Sequence, residues 1–453
     1  MNDYIVDTNK GKIKGHLHDG MIEFLGIPYA KPPVGSLRFK RAQEMETWKD
    51  VYDARDYGSV AVQFEGGECK SNEDCLTLTV QRPLEGDNLP VLVWIHGGGY
   101  NTGGINNPYS DGKPFVKAGI VFVAFQYRMN VLGFYDFTTY SGCEAFESNC
   151  GLSDQILAMK WIHENIRAFG GNPECVTIAG ESAGGASVVN MLAVPSVKGM
   201  FQRAIIQSGL PNCVMTHDMA RRNIELYMEG MGWVEKDLPK LLTMDPYDML
   251  KGNEYMAKKH QYSNPGIFLP GPIQDDLMPI RPIDAIRQGS AKGVQIIIGT
   301  NKDEGTMFVH PENTGFPNCL EMVQEMFDKN GLHENIKQVM DYYGDNGLET
   351  YIKFATDYAF LVPSLKVAEA QKEYGDVWFY QFEFLTKSGE KTGMRVSHAF
   401  DLPCVFANKD FEFSKLLFDG EEECVKDTII KDMNTPWVNF IKNGNPDAHN
   451  WPK

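Results

Sequence analysis

Short runs of β-branched and aromatic residues recur along the chain: Val91 to Ile95, Ile120 to Tyr127, Val176 to Ala179, Arg203 to Gln207, Val294 to Ile298 and Val377 to Phe382. Glycine or proline bounds them. Runs that are apolar at every position, rather than at every second one, predict strands covered on both faces, as in a parallel sheet. Between them, Asp154 to Phe169 carries Ala158, Ile162, Ile166 and Phe169 at helical spacing, with Ser153 or Asp154 placed to cap the helix. Strand and helix alternate over this length, which predicts a doubly wound α/β sheet. The alternation breaks from about 212 to 290. That stretch is helix-like, rich in Met and charge, and then proline-rich from Pro265 to Pro282. Strands resume at Val294 without a flexible linker. The expectation is one domain over 1–453, with 212–290 as an insertion lying over the catalytic edge of the sheet.

Composition narrows the function classes. Of 453 residues, 43% are hydrophobic and 23% charged, which is ordinary for a globular chain with a large core. The net charge of −17 and the lack of a basic run argue against nucleic acid as a partner, because phosphate binding needs clustered Lys and Arg. No apolar stretch reaches the length of a membrane span. The first residues, Met1 to Lys10, lack the basic and apolar regions of a secretory signal. Nine cysteines at no metal-like spacing, with no glycosylation sequon, fit a cytoplasmic protein with reduced thiols.

The chemistry concentrates in a few segments. Val176 to Ala179 runs into Gly180-Glu181-Ser182-Ala183-Gly184, followed by a small-residue helix from Ala183 to Ala193. Strand, tight turn and helix in that order make a nucleophile elbow: the turn exposes the Ser182 hydroxyl, and the flanking glycines avoid a clash. Consecutive glycines Gly97, Gly98 and Gly99 follow the Val91–Ile95 strand after His96. Backbone N–H groups of Gly98, Gly99 and Ala183 would stabilise the negative charge that acyl transfer builds on a carbonyl oxygen. A serine needs a base. His398 lies far enough downstream to leave room for an acid strand between it and Ser182, whereas His310 and His333 leave less, and His449 sits among Asn and Pro near the C-terminus. The acid belongs just after a strand, where Ile296 to Ile298 leads to Asp303 and Glu304; spacing does not choose between those two carboxylates.

Four stretches together resemble the type-B carboxylesterase family: Phe24 to Gly35, Asn72 to Leu76, His96 to Gly99 and Gly180 to Gly184. The likeness extends over nearly the whole chain and is densest from 20 to 210. It implies an α/β-hydrolase fold, a serine esterase acting on small carboxylic esters through an acyl-enzyme, and a Ser182–His398–Glu304 triad, with Glu304 as the acid of an Asp-Glu-Gly segment. It also implies that Ser208 hydrogen-bonds near the triad and that Glu181 shapes the field beside the nucleophile. No metal or organic cofactor is implied. The partner is a small-molecule ester, and the chain is expected to be a monomer or small homo-oligomer. The likeness stops short of choline specificity: no tryptophan lies between Ala61 and Cys75, and Cys69 and Cys75 are too close to close the loop that would hold one. Tyr100, Phe268, Leu269, Met307 and Phe308 are candidates for the substrate pocket, or for the core. The rival readings are a lipase or peptidase on the same fold, an amidase, and a binding protein that keeps the fold without the chemistry.

Overall fold

The computed structural model describes residues 4–64, 71–107, 111–263, 270–311, 315–329, 336–447 and 451–453. Eleven strands join one sheet. In chain order they are β1 (Tyr4–Asp7), β2 (Lys12–His18), β3 (Met21–Pro28), β4 (Tyr52–Asp53), β5 (Thr77–Pro83), β6 (Leu89–Ile95), β7 (Val121–Phe125), β8 (Gly171–Glu181), β9 (Arg203–Gln207), β10 (Gln295–Asn301) and β11 (Val377–Phe382). Their order across the sheet is β1-β2-β3-β5-β7-β6-β8-β9-β10-β11, with β4 beside β2. From β7 to β11 all neighbours are parallel. The N-terminal edge, from β1 through β5 to β7, is antiparallel.

All six strands expected from the apolar runs are present, and their continuous hydrophobicity has a direct cause. Along β6, Val91, Val93 and Ile95 enter the core on one face of the sheet, while Leu92 and Trp94 enter the core on the other. The same division separates Ile296 and Ile298 from Ile297 on β10. Side chains alternate across a strand, so a strand covered on both faces favours apolar residues at successive positions.

The helix expected from Asp154 to Phe169 runs instead as α1, Cys150–Asn165, and tightens into a 3₁₀ turn at Ile166–Phe169. Neither proposed cap is at the end. Ser153 Oγ donates to the Cys150 carbonyl at 2.6 Å, inside the helix. Asp154 is fully buried and takes a forked pair of bonds from Arg128, Nη2 to Oδ1 at 2.6 Å and Nε to Oδ2 at 2.8 Å. A capping carboxylate and a buried ion-pair carboxylate look alike in sequence; the distant arginine decides which this is.

After β8 comes α2 (Ala183–Ala193), over the residues expected. Between β9 and β10 lie α3 (His217–Met231), α4 (Pro246–Ser263) and α5 (Pro282–Arg287). Ile224 and Tyr227 of α3 and Met249, Leu250 and Met256 of α4 pack with Val131, Leu132, Tyr135 and Phe137 in a cluster separate from the two sheet-facing cores. Thr216 Oγ1 caps α3 by accepting from the Met219 N–H. No helix among the described residues is long and apolar enough to cross a membrane. No disulfide links the eight described cysteines, and Cys69 lies outside the described residues.

Candidate active site

Parallel strands bring their carboxyl ends to one edge, which is where open α/β sheets bind ligands. Here β8, β9, β10 and β11 are consecutive neighbours, and each is followed by a segment of the site. Ser182 follows β8, Ser208 follows β9, Glu304 follows β10, and His398 lies beyond β11.

Ser182 stands between the last residue of β8 and the first of α2, with φ 57° and ψ −124°. A non-glycine residue rarely holds a positive φ, and strain of this kind gathers at active sites. The turn is possible because glycines flank it: a Cβ at Gly184 would stand 2.0 Å from the Ile95 carbonyl oxygen, and one at Gly180 would stand 2.4 Å from the Gly184 carbonyl carbon. The Ser182 N–H is tied to the Gln207 carbonyl at 3.0 Å, which fixes the elbow to β9.

His398 is buried and held from one side. Its Nδ1 lies 2.5 Å from Glu304 Oε2. The other Glu304 oxygen accepts from Ser208 Oγ at 2.5 Å and from the Asn301 backbone N–H at 2.7 Å. Glu304 is fully buried, so these donors replace the water its charge has lost. Asp303, the competing carboxylate, points elsewhere. Its backbone N–H donates to the Val396 carbonyl at 2.9 Å, and its Oδ2 lies 3.4 Å from the Val396 N–H. It ties down the loop that carries His398. The other histidines considered lie away: His310 is exposed with Nε2 2.9 Å from the Met307 carbonyl, and His333 and His449 fall outside the described residues.

The free side of the imidazole faces the elbow. His398 Nε2 lies 3.1 Å from Glu181 Oε1, without the alignment of a hydrogen bond. Catalytic hydrogen bonds are often unformed before substrate binds. Burial pushes the Glu181 carboxyl up to about 8, ahead of the opposing pull of His398. Burial also acts to lower His398, but the Glu181 and Glu304 carboxylates outweigh it and hold the imidazole above its usual range.

The glycine loop after β6 faces the same turn. A Cβ at Gly97 would meet the Glu181 carbonyl oxygen at 2.7 Å and Ser182 Cβ at 3.1 Å. Gly98 and Gly99 have φ of 107° and 61°, and the space beside Gly99 is open. Ala183 is the first residue of α2, so its N–H belongs to the turn that a helix leaves without internal acceptors. His96 anchors the loop: its ring stacks on Tyr127 at 4.5 Å between centroids, and Tyr127 Oη donates to its carbonyl at 2.8 Å. Burial pulls the His96 imidazole down to about 4, so it is neutral.

Among the pocket candidates, the Phe308 ring lies edge-on to His398 at 5.1 Å, and Met307 is exposed beside it. Tyr100 is core instead: it is 1% exposed and its hydroxyl sits 3.1 Å from Ser187 Oγ. Phe268 and Leu269 lie outside the described residues. The sequence reading missed Phe360, whose ring lies 5.0 Å from the His398 ring. It also missed Asp401, a fully buried carboxylate reached by Tyr380 Oη at 2.7 Å, Gln207 Nε2 at 2.9 Å and Asn301 Nδ2 at 3.3 Å. No motif marks either residue. The one available signal was the position of Asp401 three residues after His398.

Residues 2–453 match the model of the carboxylesterase family. The para-nitrobenzyl esterase of Bacillus subtilis is 36% identical over 471 residues, covering 100% of this chain and 93% of that protein. The cholinesterase of Mus musculus is 31% identical over 495 residues, covering 98% of this chain and 80% of that one. The solved structure of a thermophilic para-nitrobenzyl esterase superposes with a TM-score of 0.89 at 34% identity, covering 100% of this chain and 94% of the other. The large sheet flanked by helices is thus the α/β-hydrolase fold.

Proposed function

Because this chain belongs to the carboxylesterase family and is a carboxylic-ester hydrolase, we propose that it cleaves small esters through Ser182, His398 and Glu304. The observation that carries this reading is the 2.5 Å contact of His398 Nδ1 with Glu304 Oε2, with Nε2 on the other side 3.1 Å from Glu181, the residue before the strained Ser182. In the first step His398 Nε2 takes the Ser182 proton, and Oγ attacks the ester carbonyl carbon. The N–H groups of Gly98, Gly99 and Ala183 receive the oxyanion. The tetrahedral intermediate collapses, the C–O bond to the alcohol breaks, and His398 gives its proton to the leaving oxygen. Water then adds to the acyl-enzyme with His398 again as base, and Ser182 leaves with the proton. Glu304 keeps Nδ1 protonated and balances the imidazolium. Phe308 and Phe360 form an apolar wall beside the imidazole, which limits water there and strengthens these charge interactions. We assign 212–290 to a cover over this edge within a single domain of residues 1–453: it leaves the sheet after β9 and returns at β10, both of which border the site.

The test uses para-nitrophenyl acetate, butyrate and octanoate with a fluorophosphonate probe. The expected result is turnover that favours the shorter chains, and one covalent adduct on the peptide containing Ser182. No turnover of any ester, or an adduct mapped elsewhere, overturns the proposal. Preference for octanoate would move the reading toward a lipase.

The pH profile carries a second expectation. His398 acts as base only when neutral, and Glu181 and Glu304 raise its proton affinity. The rate therefore rises with pH through the His398 titration, and the ascending limb of kcat/KM should lie above the ordinary imidazole range, near 6.5. Glu181→Gln removes one of the raising charges, so its limb should move to lower pH. A limb that stays in place in that variant would show that Glu181 does not set the proton affinity of His398.

A further inference from the structure

Well away from the catalytic edge, the β2–β3 hairpin gathers three metal-ligating side chains. His16 and His18 are two apart on β2, so they share one face of the strand. Glu23 on β3 is the direct cross-strand partner of His16, and Met21 is the partner of His18. One ligand atom from each of His16, His18 and Glu23 lies within 4.8 Å of the others. The next strand supports the arrangement as well. Gln81 on β5 pairs with Glu23 and donates from Nε2 to its Oε1 at 2.8 Å, which orients the carboxylate and turns Oε2 toward the histidines. Outer partners of this kind fix metal-ligating carboxylates.

One distance and one unpartnered nitrogen point to an occupant. His16 Nε2 and Glu23 Oε2 are 3.7 Å apart, too far for a hydrogen bond. Two donors at that separation, each about 2.1 Å from one ion, subtend about 120° at it, close to a four-coordinate geometry. The other ring nitrogen, His16 Nδ1, is buried without a hydrogen-bond partner among the described residues, so no bond commits the imidazole to another pose. The glutamate side chain is 7% exposed and that of His16 19%, while His18 is open to solvent and provides the entry path. Local charge is mixed. Lys14 shares the histidine face of β2 beside Asp53, and Asp19, next to His18, bonds Lys113 at 2.5 Å.

We propose that His16, His18 and Glu23 bind one divalent transition ion of the zinc class, with water completing the shell. Two imidazoles and a carboxylate suit zinc, cobalt or nickel, whereas calcium and magnesium require oxygen donors throughout. The ion clips the two strands of the hairpin and has no part in ester cleavage. From β3 to β8 the order runs through β5, β7 and β6, four strand steps, or roughly 19 Å at about 4.8 Å per step.

The test uses untagged full-length protein stripped with EDTA, titrated with Zn²⁺ by calorimetry and with Co²⁺ by visible absorption. The expected result is one equivalent bound, with the d–d bands of tetrahedral Co²⁺. His16→Asn and His18→Asn should each weaken binding by at least about tenfold, with ester turnover unchanged. Because His18 is exposed, its variant should melt like the metal-free wild type, so it decides the matter even if Glu23→Gln fails to fold. Absence of saturable binding to the wild type overturns the proposal. So does binding that survives both histidine variants, which with a thiolate-to-cobalt band would place the ion on cysteines instead.

Discussion

Replacing Ser182 by alanine is expected to lower kcat for para-nitrophenyl butyrate by a factor on the order of 10⁴ to 10⁶. That is about 5 to 8 kcal/mol of transition-state stabilisation at about 1.36 kcal/mol per decade. The loss should fall on kcat, because the hydroxyl forms its bond only along the reaction coordinate and contributes little to holding the ester. The variant should fold. Alanine must adopt the same φ of 57°, and it pays a steric cost close to that of serine, since both carry a Cβ with no further branching. What remains after the substitution is water attack assisted by the glycine-loop donors. A variant that keeps more than a tenth of the wild-type rate would make the elbow an ordinary glycine-rich turn and would send the search to another nucleophile.

The second large effect is expected at the acid. Glu304→Gln should lower kcat about 10⁴-fold while leaving thermal stability nearly unchanged. The reason lies in how the carboxylate is held. Oε1 accepts two hydrogen bonds, from Ser208 Oγ and from the Asn301 N–H. A glutamine would keep its carbonyl oxygen there and place its NH₂ group where Oε2 now faces His398 Nδ1. Nδ1 must then accept rather than donate, so the proton moves to Nε2. A neutral imidazole in that tautomer has no lone pair for the Ser182 proton. Steady-state rates and the rate of fluorophosphonate labelling should fall together. A loss below tenfold would remove Glu304 as the orienting acid. Asp303→Asn is the comparison: its side chain faces Val396 rather than the imidazole, so its effect should be much smaller.

How much of this was legible in the sequence depends on how local each signal is. The strands of the parallel half announced themselves because burial on both faces leaves β6, β7 and the Ile296–Ile298 run of β10 apolar at every position. The antiparallel edge did not stand out by the same test. β2 reads Lys-Ile-Lys-Gly-His-Leu-His with only Ile13 and Gly15 buried, and β4 is two residues long. A signal was present nonetheless: Asp19-Gly20, both at positive φ, forms the two-residue hairpin between His18 and Met21. In the site, Ser182 and the glycine loop were readable from local backbone demands. The choice of Glu304 over Asp303 was not readable from spacing, since both follow the same strand; the resemblance of the Asp-Glu-Gly segment chose Glu304, and in space His398 and Ser208 approach that residue. Asp401 and Phe360 owe their positions to packing between distant segments, which spacing does not encode.

The chain separations within the site carry a kinetic consequence. Glu304 meets His398 across 94 residues and Ser208 across 96, and Gln207 reaches Asp401 across 194. Contacts this remote in sequence form slowly, because loop closure must precede any gain from pairing parallel strands. Helices such as α1 can form early from local contacts, but the proposed triad of Ser182, His398 and Glu304 comes together only when β8, β9, β10 and β11 stand in register. On that proposal a newly made chain stays chemically silent until its topology is complete, and the strained Ser182 turn is not displayed on partly folded intermediates.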